Sequence, residues 1–205
     1  MPRVENVSYE ERIRTACEQL DYSLAVEIAL RALQPEMRRF LSGVLRNQES
    51  VQDVFGAFTE QLWQGLPRFR WESSFRTWAY RLLRGACYQF LHSPAAREEV
   101  TDAPIQEDIP DPSRSVTQPW LKTEIKQAFI ALRQKLDAKD RMLLLLRVDQ
   151  RLPWEEIARI VEESDTLTEQ EVRQKAAALR QHFQRVKDRL RELAIQEGLI
   201  SPEES

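Results

Sequence analysis

Between Leu66 and His92 the chain interleaves two kinds of side chain that suit single-stranded nucleic acid. Phe69, Trp71, Phe75, Trp78, Tyr80, Tyr88 and Phe90 offer flat faces on which bases can stack. Arg68, Arg70, Arg76, Arg81 and Arg84 offer guanidinium groups for phosphates. Seven of the seventeen aromatic residues fall within these 27 positions, with Glu72 as the one acid, so chemistry is concentrated here. The same residues also fit an amphipathic helix with an aromatic core. Phe75 and Phe90 continue the apolar face and are read as core. For Trp71, Arg76, Tyr80 and Arg84 both readings stand. A second constellation lies near the C-terminus, where Arg180, Gln181, Gln184, Arg185 and Lys187 face away from Leu179, Phe183, Val186 and Leu190. Arg and Gln pair with guanine and adenine edges in a major groove, although a charged helix face has the same look. Catalytic constellations are missing: no phosphate loop, no His-Glu-x-x-His, no serine elbow. We therefore expect a protein that is not an enzyme and needs no cofactor or metal. Cys17 and Cys87, with His92 and His182, have no metal-ligand spacing and read as reduced packing residues.

The elements that must position these groups are helices. Apolar residues recur at helical spacing in Met37, Phe40, Leu41, Val44 and Leu45, then in Val51, Val54, Phe55, Phe58 and Leu62, then in Ala79, Leu82, Leu83, Ala86 and Phe90. Ile13, Leu24 and Ile28 mark earlier helices. Gly65-Leu66-Pro67 breaks the chain, and Ser73 or Ser74 can cap the helix that contains Ala79 to Phe90. Further on come Ile125, Phe129, Leu132 and Leu136, the run Leu143 to Leu146, and Ile157, Ala158, Ile160 and Val161. The last helix is basic. With the short helix beginning near Trp154 it has the outline of a helix-turn-helix. Only five glycines in 205 residues, and an abundance of Leu, Ala, Glu, Gln and Arg, agree with an all-α protein.

Net charge is −3, yet its distribution is uneven. Residues 21–93 carry 9 Lys and Arg against 7 acids, and residues 120–197 carry 16 against 14. Between them, residues 94–119 hold two cations, six acids and five of the ten prolines. Proline removes a helix donor and restricts its predecessor, so this stretch is expected to be an extended, flexible acidic linker. The expected organisation is a helical domain over 1–93, the linker 94–119, a second helical domain over 120–197 and a tail, 198–205. No run of about 18 apolar residues and no signal pattern is present, so a cytoplasmic protein without membrane contact is expected.

The motifs have a family resemblance. Val51-Gln52-Asp53-Val54-Phe55, then Gly65-Leu66-Pro67-Arg68-Phe69-Arg70, then Ser73-Ser74-Phe75-Arg76-Thr77-Trp78-Ala79-Tyr80-Arg81 resembles region 2 of the bacterial extracytoplasmic function (ECF, group IV) sigma factors. Leu136-Asp137-Ala138-Lys139-Asp140-Arg141, Leu143 to Arg147, Trp154-Glu155-Glu156-Ile157-Ala158 and Leu179 to Leu190 are similar to region 4 of the same family.

The resemblance implies bacterial core RNA polymerase and promoter DNA as partners. Glu49, Gln52, Asp53, Thr59, Glu60 and Trp63 would bind core polymerase. Arg68, Arg70, Trp71, Arg76, Trp78, Tyr80, Arg81, Arg84 and Tyr88 would melt the −10 element and hold its single strand. Arg180, Gln181, Gln184, Arg185 and Lys187 would read the −35 element. Two departures from the family pattern carry expectations. The family is strongly acidic before the Val-Gln pair, where this chain has Arg46, Asn47, Gln48 and Glu49. Thr59, on the stripe Glu49, Gln52, Gly56, Thr59 and Trp63, could regain that charge by phosphorylation, with a Ser/Thr kinase as partner. The plainer reading is a tolerated threonine at the edge of the buried face, with control left to an anti-sigma factor. The segment from Val161 to Leu179 exceeds a usual turn by about ten residues; Thr168-Glu169-Gln170-Glu171 resembles a capping sequence, so the insert extends the last helix backward or adds one. The alternatives are a stand-alone helix-turn-helix DNA-binding regulator and a sigma-like interaction protein without promoter activity.

Overall fold

The computed structural model describes residues 8–45, 47–93, 119–162 and 167–201, the first eight of the third segment by backbone alone. The described residues are helical and contain no strand. Most of the expected linker, Arg46, the side chain of Ile125 and the end of the tail lie outside them.

Eight α-helices are described: α1 (Tyr9–Glu18), α2 (Tyr22–Val44), α3 (Gln48–Gly65), α4 (Phe75–Leu91), α5 (Pro119–Gln134), α6 (Ala138–Leu144), α7 (Trp154–Val161) and α8 (Glu169–Gln196). Most starts are written in the sequence as a short polar residue whose side chain accepts a backbone N–H that the first turn leaves open. Ser8 and Glu11 form a capping box on α1, Asp21 caps α2, Asn47 caps α3, Ser74 caps α4 and Asp137 caps α6. A second capping box, Thr168 with Glu171, starts α8.

The helices divide into two compact units. The first contains α1 to α4. There α1 packs on α2, α2 on α3 and α4, and α3 on α4. Its core holds Ile13, Leu33, Met37, Phe40, Leu41, Val51, Phe58, Leu62, Phe75 and Leu83, all nearly or fully excluded from solvent. The sequence suggested separate helices around Leu24–Ile28 and Met37–Leu45. The structure makes them one, because α2 runs through Pro35 without a break. A proline inside a helix loses one hydrogen bond and crowds the preceding turn, at about 3 kcal/mol or more, and the continuous apolar stripe from Ala25 to Val44 outweighs it.

The second unit contains α5, α6, α8 and α7 up to Ala158. Leu132, Leu136 and Leu144 pack against Val186, Leu190, Leu193 and Ala194 of α8. After α6 the chain widens into a π turn over Leu145–Asp149, closed by Gln150 N–H donating to the Leu145 carbonyl at 3.0 Å. Two arginines fix its neighbourhood. Arg141, 4% exposed, donates to the carbonyls of Gln134 and Leu136 and so ends α5. Arg133 makes a bidentate pair with Asp149 at 2.8 and 2.9 Å.

Candidate nucleic-acid and protein-binding surfaces

The aromatic and arginine-rich segment begins in a 3-10 turn (Leu66–Arg68), crosses an irregular stretch and enters α4. Phe69 organises it. Its ring stacks on Trp78 with centroids 4.6 Å apart and meets Trp71 at 4.8 Å and Phe75 at 5.8 Å. Trp71 has φ of +61°, a left-handed conformation that is costly for an aromatic residue. Contacts from α1 and α2 hold this strained stretch. The Arg14 guanidinium lies 5.4 Å from the Trp71 ring centroid. The Glu10 carboxylate accepts the Arg76 backbone N–H at 3.1 Å, and the Glu36 carboxylate accepts Arg76 Nε at 2.8 Å. Burial alone would lower the Arg76 pKa, but the bond and charge of Glu36 outweigh it and raise it, so the guanidinium stays charged. Glu10, Arg14 and Glu36 were not singled out in the sequence. Their partners are tens of residues away, and no local spacing signals such a contact.

The nine residues expected to engage the −10 element are unequally placed. Arg68, Arg70 and Tyr88 are exposed, and Trp71, Arg76, Arg81 and Arg84 are half-buried. Trp78 and Tyr80 correct the expectation. Trp78 is 7% exposed and packs so closely on Gly65 that a Cβ there would lie 3.0 Å from its ring. Tyr80 is 0% exposed and meets Phe40 edge-on at 5.5 Å. Neither presents a face to a base. The reason is that α4 lies against both α2 and α3, so its first turns are buried on more than one side. Burial, with the Glu36 charge beside it, pushes the Tyr80 phenol far above its ordinary value. Its hydroxyl makes no hydrogen bond of good geometry. Phe75, read as core, is fully buried, while Phe90 is half-buried.

On α3 the residues expected to bind a partner share the outer face. Val51, Val54, Phe55, Phe58 and Leu62 are buried, while Glu49, Gln52, Asp53, Glu60 and Trp63 are exposed, Trp63 to 49%. Thr59 sits at the edge, half-buried, and its hydroxyl donates to the Phe55 carbonyl at 2.8 Å.

In the second unit α8 is held at two levels. Its C-terminal half lies on α5 and α6. Nearer its start, Val172 and Ala176 pack with Ala158 of α7, flanked by Trp154, Leu167 and Leu179. Trp154 and Phe183 meet edge-on at 5.4 Å. The long turn expected after Val161 is therefore mostly helix, and only residues 162–168 connect α7 to α8. Arg180, Gln181, Gln184, Arg185 and Lys187 are all exposed on α8. Their contacts are light. Arg180 pairs with Glu155 at 3.0 Å with both side chains about half exposed, where a pair contributes little. Arg185 reaches His182 Nδ1 at 3.3 Å, and the other ring nitrogen of His182 pairs with Asp140 of α6. Among the described residues no group of three or more His, Cys, Asp or Glu could hold a metal. No described helix is long and apolar enough to cross a membrane.

None of the curated proteins matches this chain. Among solved structures, a chain from the structure of CnrH in complex with the cytosolic domain of CnrY is similar, with a TM-score of 0.61 at 14% identity. The match covers 92% of this chain and 99% of that one. At that identity the likeness is one of fold. Residues 29–97, from within α2 to just beyond α4, match the family model of Sigma-70 region 2.

Proposed function

We propose that the protein is a sigma factor of the extracytoplasmic function group. It binds core RNA polymerase, opens the −10 element with its first unit and reads the −35 element with α8, directing promoter-specific initiation. The region 2 match over residues 29–97 carries this reading, because it coincides with the helices that hold the aromatic layer and the exposed Arg68 and Arg70. The α7–α8 pair fits a helix-turn-helix whose second helix bears Arg180, Gln181, Gln184, Arg185 and Lys187. The outer face of α3 fits the polymerase contact. The assignment makes the protein cytoplasmic, with no catalytic site or cofactor of its own. Run-off transcription with purified core polymerase tests it. Promoter-dependent transcripts are expected, with weak duplex binding by the chain alone. Tight duplex binding alone with no transcripts would favour a stand-alone regulator, and core binding without promoter selectivity would favour a sigma-like interaction protein.

Control is assigned to Thr59. A phosphate there adds about −1.5 to −2 charges on the polymerase-facing stripe, beside Glu60, where Glu49 is the stripe's one acid. The hydroxyl must first leave the Phe55 carbonyl, to which it donates from a half-buried position. Affinity for core polymerase should rise at least tenfold on phosphorylation and stay low in Thr59→Ala. Equal affinities in the three forms would remove the switch and leave an anti-sigma partner as the means of control.

A further inference from the structure

The residues assigned to −35 reading occupy only the middle of α8. The helix runs over 28 residues from Glu169, so about 16 Å of it precede Arg180 at about 1.5 Å per residue. This extension is firmly placed. Val172 and Ala176, 1% and 0% exposed, seat it on Ala158. Directly opposite that buried face run Gln170, Gln174, Ala177, Gln181 and Gln184, spaced alternately four and three residues apart, and every one is exposed. Arg185 and Ala178 border the stripe on one side, Arg173 and Arg180 on the other.

Charge distinguishes this face from an ordinary solvated one. Solvated helices usually mix Glu with Lys and Arg at neighbouring turns. From Val172 to Lys187 there are five Lys and Arg and no acid. Glu169 and Glu171 stand before that stretch, in the first turn, where they complement the helix dipole and close the capping box. The stripe is rich in glutamine, which pairs bidentately with adenine, and contains alanine, whose methyl suits the thymine methyl group.

We propose that α8 lies along the major groove as a continuous reading helix, and that Gln174 and Ala177, flanked by Arg173, read base pairs next to those read by Gln181 and Arg185. This rests on the sigma-factor reading for its promoter context. Gln174 and Gln181 are seven residues apart, about 10 Å along the helix or about three base-pair rises. The −35 element of this protein is thus longer than residues 180–187 alone would define, and it is rich in A·T pairs at the added positions.

The test is selection of duplex DNA from a library randomised over the −35 element and its flanks. It uses the full chain with core polymerase and, in parallel, run-off transcription from the selected sites. Gln174→Ala and Gln181→Ala are compared with the parent chain. Alanine is the best helix former, and both positions are exposed, so the fold is not at risk. Each variant should lose about 5- to 150-fold discrimination at one or two base pairs, with the two sets of positions about three base pairs apart. A changed preference in Gln181→Ala with an unchanged one in Gln174→Ala overturns the extension and leaves the sigma-factor reading intact. A selected motif sensitive to Gln174→Ala but without any transcript supports the extended helix and overturns the sigma-factor reading. No selected motif for the parent chain overturns both.

Discussion

Tyr80 brings a phenol into the core of the first unit, fully excluded from water, with its hydroxyl in no hydrogen bond of good geometry. Its sequence neighbours are arginines and aromatics, and that company suggested a base-stacking role. The misreading has a physical source. Periodicity on α4 marks one apolar face, Ala79, Leu83 and Ala86, but a helix set against two others buries a wider arc than its pattern reveals. The same arc takes in Trp78. Two substitutions separate ring from hydroxyl. Tyr80→Ala should cost about 3–5 kcal/mol of stability, as removal of a buried aromatic ring does. Tyr80→Phe should be neutral or stabilising by up to about 1 kcal/mol, because it removes a buried hydroxyl that makes no hydrogen bond of good geometry. The pH dependence comes from the raised phenol pKa. The contribution of Tyr80 is intact below about pH 10, the ordinary value for the unfolded chain. It is lost as pH climbs from there toward the higher folded value, since only the unfolded state ionises readily. Urea melts of the parent and Tyr80→Phe between pH 8 and 11 check this. Parallel pH profiles for the two proteins would refute it.

Among the elements, α2, α3 and α4 were legible because their apolar residues repeat at helical spacing and their caps are the usual short polar residues. Two features were not. The clamp of Glu10 and Arg14 on the segment before and at the start of α4 depends on contacts such as Glu10 to Arg76, 66 positions apart, that no window of sequence contains. The continuity of α2 through Pro35 depends on burial, which proline statistics do not report. The start of α8 lies between these cases. Thr168 and Glu171 form the box their spacing suggested, but only the structure shows that the helix then runs unbroken into the reading residues. The box also makes a prediction. The Thr168 hydrogen bonds hold the Glu171 carboxyl below its ordinary pKa. Its contribution is therefore present above the unfolded glutamate value and lost as pH falls through the lowered folded one. Protection factors at the first-turn amides of α8, with the intrinsic pH dependence of exchange divided out, should fall on acidification more than those at the middle of the helix. In Thr168→Ala those amides should already exchange quickly at neutral pH. If the parent and Thr168→Ala show the same first-turn protection, the cap is not holding this end of the helix.

At the scale of the whole molecule the proposed sigma-factor role separates from its nearest rival through the distance between DNA elements. The expected linker, residues 94–119, is 26 residues long. A chain of that length can span at most about 90 Å at about 3.3–3.6 Å per residue. If those residues form the expected tether, the two proposed DNA-binding units would follow their elements when these are moved apart or rotated within that reach. Polymerase imposes a different constraint, because both units must occupy fixed places on one large surface. Inserting five base pairs between the −35 and −10 elements turns one about half a helical turn away from the other, given about 10–10.5 base pairs per turn. With core polymerase, that insertion should abolish open-complex formation, and ten base pairs should not fully restore it, since the axial distance is then wrong. For the chain alone, binding to the two elements should change less than tenfold across the same series. Permanganate footprinting with core polymerase and fluorescence anisotropy without it supply the two measurements. A chain that binds alone with the same abrupt dependence on spacing would have to fix its two units without polymerase, and the stand-alone regulator would then be the better description.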